Sequence, residues 1–306
     1  MLGVVILNYK NFADTINCVK SFYNCGYKKE YKIYIVDNAS PNQSVEELRN
    51  AFSFDKKIEI IVSKENGGYS AGNNIGLKKA VCDGCKAILL TNSDIEFTQG
   101  AVSIMEQTLF SDEKCGVVGP KVFDGTGVIQ NRNKGILTSK IFVLKRKGFE
   151  KFDFKKRVRE YGYCDYDYSY PLKPSGMVSG CCFVIKAKVL EEIDYLDEGV
   201  FLYHEEDILG ARLRQAGYYP LLDPNAAVIH LEGRSTGELN AFLRCNTLYS
   251  GLYYLWKYSD VKVCSFNFCV FVAKFMFFFK AITNNEYRKY LKILKNKIKE
   301  LKKTER

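Results

Sequence analysis

The run AILLTNSD, Ala87 to Asp94, decides the fold. Four apolar residues are too few for a helix but suit a strand covered on both faces, and the chain then turns abruptly polar. The same unit recurs on either side. Gly3–Leu7 ends in Asn8-Tyr9, Lys32–Val36 ends in Asp37-Asn38, Ile58–Val62 precedes Asn66-Gly67-Gly68, and Gly116–Val122 follows later. Between these runs, Phe12–Cys25, Val45–Phe52, Ala71–Val81 and Ala101–Leu109 read as helices. Strands alternating with helices predict an α/β architecture: a Rossmann-like, mostly parallel sheet with helices on both faces. Ligands bind such sheets at the carboxyl ends of the strands. Asn8, Tyr9, Asp37, Asn38, Asn66, Gly68, Asn92, Ser93 and Asp94 should therefore share one rim.

Further along, residues 126–175 break the rhythm and read as an insertion shaping a second substrate site. The sheet resumes at Cys181–Ile185, a helix is expected over Glu205–Gln215, and Ala226–His230 reads as a last strand. The domain expectation is 1–256, with a nucleotide-binding half over 1–125 and an acceptor and catalytic half over 126–256. Residues 257–306 form a helical extension. There Val261–Ala281 is rich in Phe, but Asn267 and Lys274 interrupt it, so an interfacial segment is expected rather than a span. Tyr287, Tyr290, Leu291, Leu294, Ile298 and Leu301 then lie on one helical face with lysines around the rest. A basic amphipathic helix of this kind reads as adhesion to an anionic membrane surface, with docking on the protein's own core or on a partner helix as the competing readings.

Composition limits the classes. With 47% hydrophobic and 26% charged residues, disorder and low complexity are excluded. The net charge of +10 is concentrated in Lys145–Arg159 and Asn284–Arg306, so the body is near neutral and no nucleic-acid partner is expected. Eleven cysteines, several in apolar runs, suit a reducing compartment. No charged leader or cleavage site precedes the first strand, so the chain is expected in the cytoplasm, peripheral on the inner face of the cell membrane.

The polar ends supply the chemistry. No GxGxxG follows the first strand and no P-loop is present, and His204 and His230 are the only histidines. Asp94 closes a strand, where a carboxylate holds a divalent cation beside a diphosphate or caps the next helix. Glu205, Glu206 and Asp207 open a helix behind an aromatic run. They read either as dipole-favoured acids or as the place of a general base. His230 ends a strand before Arg234 and Ser235, which could meet a phosphate, although a lone His is more often structural.

Eight pieces in order then resemble the family-two nucleotide-sugar glycosyltransferases of GT-A fold, in particular rhamnosyltransferase-like enzymes of bacterial surface polysaccharide assembly. They are Val4–Tyr9, Ile35–Ser40, Asn66–Gly76, Leu89–Asp94, Val118–Lys121, Ser179–Cys182, Phe201–Glu206 with Arg212 and Gly217, and Val228–Gly233. The resemblance implies a metal-dependent, inverting transferase that moves a sugar from a UDP- or dTDP-linked donor to a glycan or lipid-linked glycan. Asp37 would bind the pyrimidine, with Asn8, Tyr9, Asn38, Asn66, Gly68, Asn73, Asn92, Ser93 and Arg234 completing the donor pocket. Asp94 and His230 would hold Mn²⁺ or Mg²⁺. Glu206 aligns with the family's base, with Glu205 beside it as the alternative. A sugar nucleotidyltransferase is disfavoured by the absence of a Gly-rich loop after the first strand. An inactive membrane scaffold is disfavoured by the presence of Asp37, Asp94 and Glu206.

Overall fold

The computed structural model describes residues 1–130, 133–145, 155–231 and 240–305. The first half is built as its hydrophobic pattern requires. β1 (Leu2–Asn8), α1 (Phe12–Asn24), β2 (Tyr31–Asp37), α2 (Ser44–Phe52), β3 (Ile58–Val62), α3 (Gly68–Cys82) and β4 (Ala87–Asn92) alternate in order. β1 lies between β2 and β4, parallel to both, with Asn8 opposite Asp37 and Leu7 opposite Asn92. The strand ends are thus level, and their polar residues form a continuous edge. Alternation along β1 sends Leu2, Val4 and Ile6 into a core shared with α1 and α4 (Ala101–Ser111), while Val5 joins α3 on the opposite face.

Beyond β4 the sheet departs from a simple parallel series. β5 (Ile95–Phe97) follows at once, then β6 (Cys115–Asp124), the short helices α5 (Ser139–Leu144) and α6 (Lys155–Tyr161), β7 (Cys182–Lys186) and α7 (Ala187–Glu192). The spatial order is β3-β2-β1-β4-β7-β6-β8-β5, with β8 spanning Tyr219–His230. β7 is inserted antiparallel between β4 and β6, and β5 pairs antiparallel with β8, whereas β6 and β8 run parallel. Every residue of β7 is buried, and an apolar run such as its Cys182–Ile185 carries no sign of its direction, so the sequence could not reveal this inversion.

The last elements are α8 (Glu205–Gln215), α9 (Ala241–Lys257), α10 (Val263–Thr283) and α11 (Asn285–Leu301). They share a third apolar core. Ile208 of α8, Leu252 and Leu255 of α9, Phe266 and Phe277 of α10, and Leu294 and Ile298 of α11 belong to one cluster with Phe142 of α5. The amphipathic face of α11 is therefore spent inside the protein, because Tyr287, Leu291, Leu294, Ile298 and Leu301 are all buried. This corrects the assignment of that face to a membrane, since the competing docking surface, the chain's own helices, is adjacent.

Candidate functional site

The rim forms where the strand ends meet. Asp37 is fully buried and held from two sides: Asn8 Nδ2 donates to its Oδ2 at 2.7 Å and the Ser40 N–H donates to its Oδ1 at 2.8 Å. The Asn8 amide oxygen accepts from Thr15 Oγ1 at 2.8 Å, so Asn8 is fully engaged in fixing Asp37. Asn38 Nδ2 donates to Asn66 Oδ1 (2.9 Å) and to the Gly68 carbonyl (3.1 Å), which ties the loop before α3 to β2. Asn73 is buried, its amide donating to the Tyr69 carbonyl while its Oδ1 has no hydrogen-bond partner among the described residues. Tyr9 is more exposed at the edge, beneath the Lys10 ammonium.

Gly68 has a specific reason to be glycine. Its φ is +89°, and a Cβ there would come within 2.2 Å of the Phe201 carbonyl oxygen. That close approach lets the Tyr69 N–H donate to the same carbonyl at 2.9 Å. The donor-side loop is thereby pinned to the segment leading into α8. Tyr69 Oη also donates to the Gly180 carbonyl at 3.0 Å, and a side chain at Gly180 would meet the Glu206 carboxylate at 3.5 Å. The Asn92 N–H donates to the Cys181 carbonyl at 2.8 Å. Asp37, the Asn66–Tyr69 loop, Asn92 and Glu206 are thus linked along one edge by consecutive contacts.

Asp94 and His230 meet at the other end of that edge. Ile95 is paired with His230 across β5 and β8, which brings Asp94 Oδ1 to 3.3 Å from His230 Nε2. Gln130 Oε1 lies 3.2 Å from His230 Nδ1, leaving Nε2 turned toward Asp94. One carboxylate and one imidazole fit Mn²⁺ or Mg²⁺, with further positions left for oxygens of a ligand. Among the described residues no cluster of three or more His, Cys, Asp or Glu side chains forms a self-sufficient site. Ser93 is buried beside Asp94. Arg234 lies outside the described residues.

The start of α8 is a dense ionic cluster. Tyr203 and His204 both adopt left-handed backbone (φ 71° and 67°), a conformation costly for side chains of this size. The turn is held by His204 Nδ1, 2.8 Å from Asp207 Oδ2, and by Ser250 of α9, whose Oγ donates to the Leu202 carbonyl. Asp207 also accepts from Tyr161 Oη at 2.8 Å. Lys134 enters between the acids, 2.8 Å from Glu206 Oε1 and 3.5 Å from Asp207 Oδ2. Burial pushes Glu206 up, but the Lys134 charge and hydrogen bond outweigh it and leave the carboxyl below the ordinary Glu range. Burial alone would likewise raise Asp207, yet Lys134, His204 and Tyr161 hold it ionised. Burial keeps His204 below the usual imidazole range. Glu205 behaves oppositely. Burial and the Glu206 charge push it up to about 8, and its Oε1 is buried with no hydrogen-bond partner among the described residues.

The two neighbours are thus pushed in opposite directions, Glu205 toward the protonated form and Glu206 toward the ionised one. The Glu206 side chain keeps 22% of its surface open. A cavity of about 950 Å³ opens on the other side of Tyr161, lined in part by Thr138, Lys140, Lys156, Arg157 and Glu160. Lys134, Tyr161, Tyr69 and Gln130 were not among the residues singled out from the sequence. Tyr69 lies within a family motif; Gln130, Lys134 and Tyr161 lie in the 126–175 insertion, which offers no periodicity to place them.

An α/β sheet with a polar rim at its strand ends, faced by an acidic helix start, is an architecture of GT-A type. The chain belongs to glycosyl transferase family 2, whose sequence profile matches residues 3–194. A low-salt glycan biosynthesis hexosyltransferase, Agl10 of Haloferax volcanii, is 27% identical over 209 residues, 67% of this chain and 59% of that protein. An N-acetylglucosaminyl-diphospho-decaprenol L-rhamnosyltransferase of Mycobacterium tuberculosis is 35% identical over 66 residues, 22% of each chain. The chain thus spans less than two thirds of either relative. Among solved structures, GalNAc-T7 with UDP, GalNAc and Mn²⁺ superposes with a TM-score of 0.64 at 15% identity, over 83% of this chain and 48% of that one. The mannosyltransferase PcManGT of Pyrobaculum calidifontis, with GDP-Man and Mn²⁺, gives 0.58 at 11% identity, over 97% and 84%. At these identities the likeness is one of fold. The family profile ends before Glu205, so the acids of α8 rest on the geometry of this chain.

Proposed function

We propose that the chain is an inverting glycosyltransferase that moves a sugar from a UDP- or dTDP-linked donor to a hydroxyl of a glycan or lipid-linked glycan in cell-surface polysaccharide synthesis. The observation that carries this reading is the Glu206 carboxylate, which meets Lys134, faces Gly180 and is tied through Tyr69 to the rim that holds Asp37. Residues 1–125 supply most of the donor side and residues 126–256 the base and the acceptor side. The relatives' names, a hexosyltransferase and a rhamnosyltransferase acting on a diphospho-decaprenol-linked sugar, support the reaction and acceptor class.

The mechanism uses the chain's own groups. Asp37, fixed by Asn8 and Ser40, accepts from the N–H of a pyrimidine, while the Asn66–Gly68 loop encloses the nucleoside. Glu206 takes the proton of the acceptor hydroxyl as its oxygen bonds to the anomeric carbon and the bond from that carbon to the diphosphate breaks; base assistance of this kind contributes ~10²–10⁴-fold. Burial and the Glu206 charge push Glu205 toward its protonated form, which supports Glu206 over Glu205 as the proton acceptor. Asp94 and His230 would hold a divalent cation, which when bound neutralises charge on the departing diphosphate. Lys140, Lys156 and Arg157, lining the cavity beside Tyr161, suit an acceptor that carries phosphate, as a lipid-linked sugar does at the inner face of the membrane.

Thermal unfolding with UDP, dTDP and GDP, each with and without Mn²⁺, tests the reading. Stabilisation by a pyrimidine diphosphate, increased by Mn²⁺, is expected. No stabilisation by any nucleoside diphosphate would refute it.

A further inference from the structure

α10 buries one side and leaves the other bare. Phe266, Cys269, Ala273 and Phe277 are packed among α5, α9 and α11. On the outward side Phe268, Phe271, Phe275, Phe278, Phe279 and Ile282 are each about half exposed or more, at spacings of three and four that keep them on one face. Their rings form a ladder, with centroids of Phe271 and Phe275 5.7 Å apart and of Phe275 and Phe279 4.7 Å apart. The stripe runs along most of a 21-residue helix, about 30 Å. A soluble protein seldom leaves so continuous an apolar face uncovered unless something binds it.

Charge indicates the occupant. From Lys262 to Arg306 there are twelve Lys or Arg against three Glu. Lys302 Nζ donates to Asn267 Oδ1 at 2.7 Å, which puts an ammonium at the border of the stripe. Lys274 lies close enough to Lys302 and Lys295 that, after burial, their repulsion is what lowers it. Three crowded cations beside an aromatic stripe call for anions in the same plane as an apolar phase. A second copy of this chain across a two-fold axis would set like charges against each other.

We infer that the outward face of α10 lies in the headgroup–acyl boundary of an anionic lipid leaflet, with Lys274, Lys295 and Lys302 on the lipid phosphates. The helix is long and apolar enough to cross a bilayer by length and composition. Its inner side is part of the protein core, however, so it lies in the membrane plane instead of spanning it. This deepens the inner-face placement proposed above, on which it rests, and puts the apolar contact on α10, whose segment the sequence already marks as interfacial, and not on the buried face of α11. The same cluster contains Ile208 of α8, so a leaflet held by α10 stands at a fixed height relative to the acids of the site.

Cosedimentation of the full chain with phosphatidylglycerol and with phosphatidylcholine vesicles tests the surface. Point variants are required because α10 and α11 cover Leu252, Leu255 and Trp256, so truncation would open the core. The wild-type chain is expected to prefer phosphatidylglycerol. The triple variant Phe271→Ser/Phe275→Ser/Phe278→Ser is expected to lose about 100-fold in partitioning. Lys295→Gln/Lys302→Gln is expected to lose about 10-fold on phosphatidylglycerol only. Both should unfold at the wild-type temperature and keep any stabilisation by nucleoside diphosphates. As a second readout, Phe275→Trp should shift its emission to the blue on adding phosphatidylglycerol vesicles. The inference is overturned if the serine variant binds vesicles like wild type. It is equally overturned if the wild type ignores vesicles and sediments as a dimer that the serine variant dissociates. Vesicle binding lost with the phenylalanines in a chain that no nucleotide stabilises would refute the transferase reading and leave the surface standing.

Discussion

The strand-end rim and the start of α8 stand on either side of Gly180 and treat charge in different ways. On the rim, carboxylates are met by neutral donors and an imidazole: Asp37 by Asn8 and the Ser40 N–H, Asp94 by His230. At α8, three acids crowd around one lysine. The rim thus holds its two carboxylates without a lysine or arginine beside them among the described contacts. The α8 cluster answers most of its own charge, with Lys134 between Glu206 and Asp207 and Glu205 pushed toward its protonated form, so the Glu206 carboxylate is left facing the rim.

The most severe break in this arrangement is Glu206→Gln. Turnover is expected to fall by ~10²–10⁴-fold with nucleoside diphosphate binding unchanged, measured by single-turnover transfer and by thermal shift. Near-normal turnover would remove Glu206 from the base role. Next comes Asp94→Asn on the rim, expected to weaken Mn²⁺-dependent diphosphate binding by at least the ~10–100-fold that loss of even an outer partner costs, read by calorimetry. An unchanged Mn²⁺ effect would exclude Asp94 as a ligand.

Lys134→Met sharpens the comparison. Lys134 lowers Glu206, so removing it raises that carboxyl, and the acid limb of the kcat/KM profile should move to higher pH with roughly a 10-fold loss at neutral pH. Lys134→Arg should restore most of both. An unmoved acid limb would show that the pair is structural only.

The smallest effect concerns Glu205. Its carboxyl sits at about 8 when folded against 4.5 ordinarily, so the unfolded chain ionises first and this group's contribution to stability falls as pH climbs between those values. Glu205→Gln removes that penalty. A gain of a few degrees in Tm is expected at pH 8.5 and little at pH 4, at ~2–4 °C per kcal/mol. Parallel pH slopes for the two proteins would refute it.

Much of the rim was legible in the chain. Apolar runs that end in Asn, Asp or Gly leave few alternatives to parallel strands with ligand-binding ends, and Asp37, Asn66 and Asp94 were found there. The Asp94–His230 meeting needed the family resemblance, because it depends on β5 pairing with a strand far along the chain. Gly68 is expected in the donor pocket, and the close approach of the Phe201 carbonyl to it is visible only in the fold. The amphipathic face of α11 was read correctly as a face but given to a membrane, because a helical stripe does not state what covers it.

The sequence by itself determined the alternation of elements, the level at which the strands end and the residue types placed there, because these follow from periodicity and turn chemistry over short stretches. Only the tertiary structure decided that Lys134 meets Glu206, that β7 runs against its neighbours, and that α10 rather than α11 presents the bare apolar face. Those outcomes are set by contacts between segments far apart in the chain, where packing and charge compensation select the partner and no local pattern records the choice.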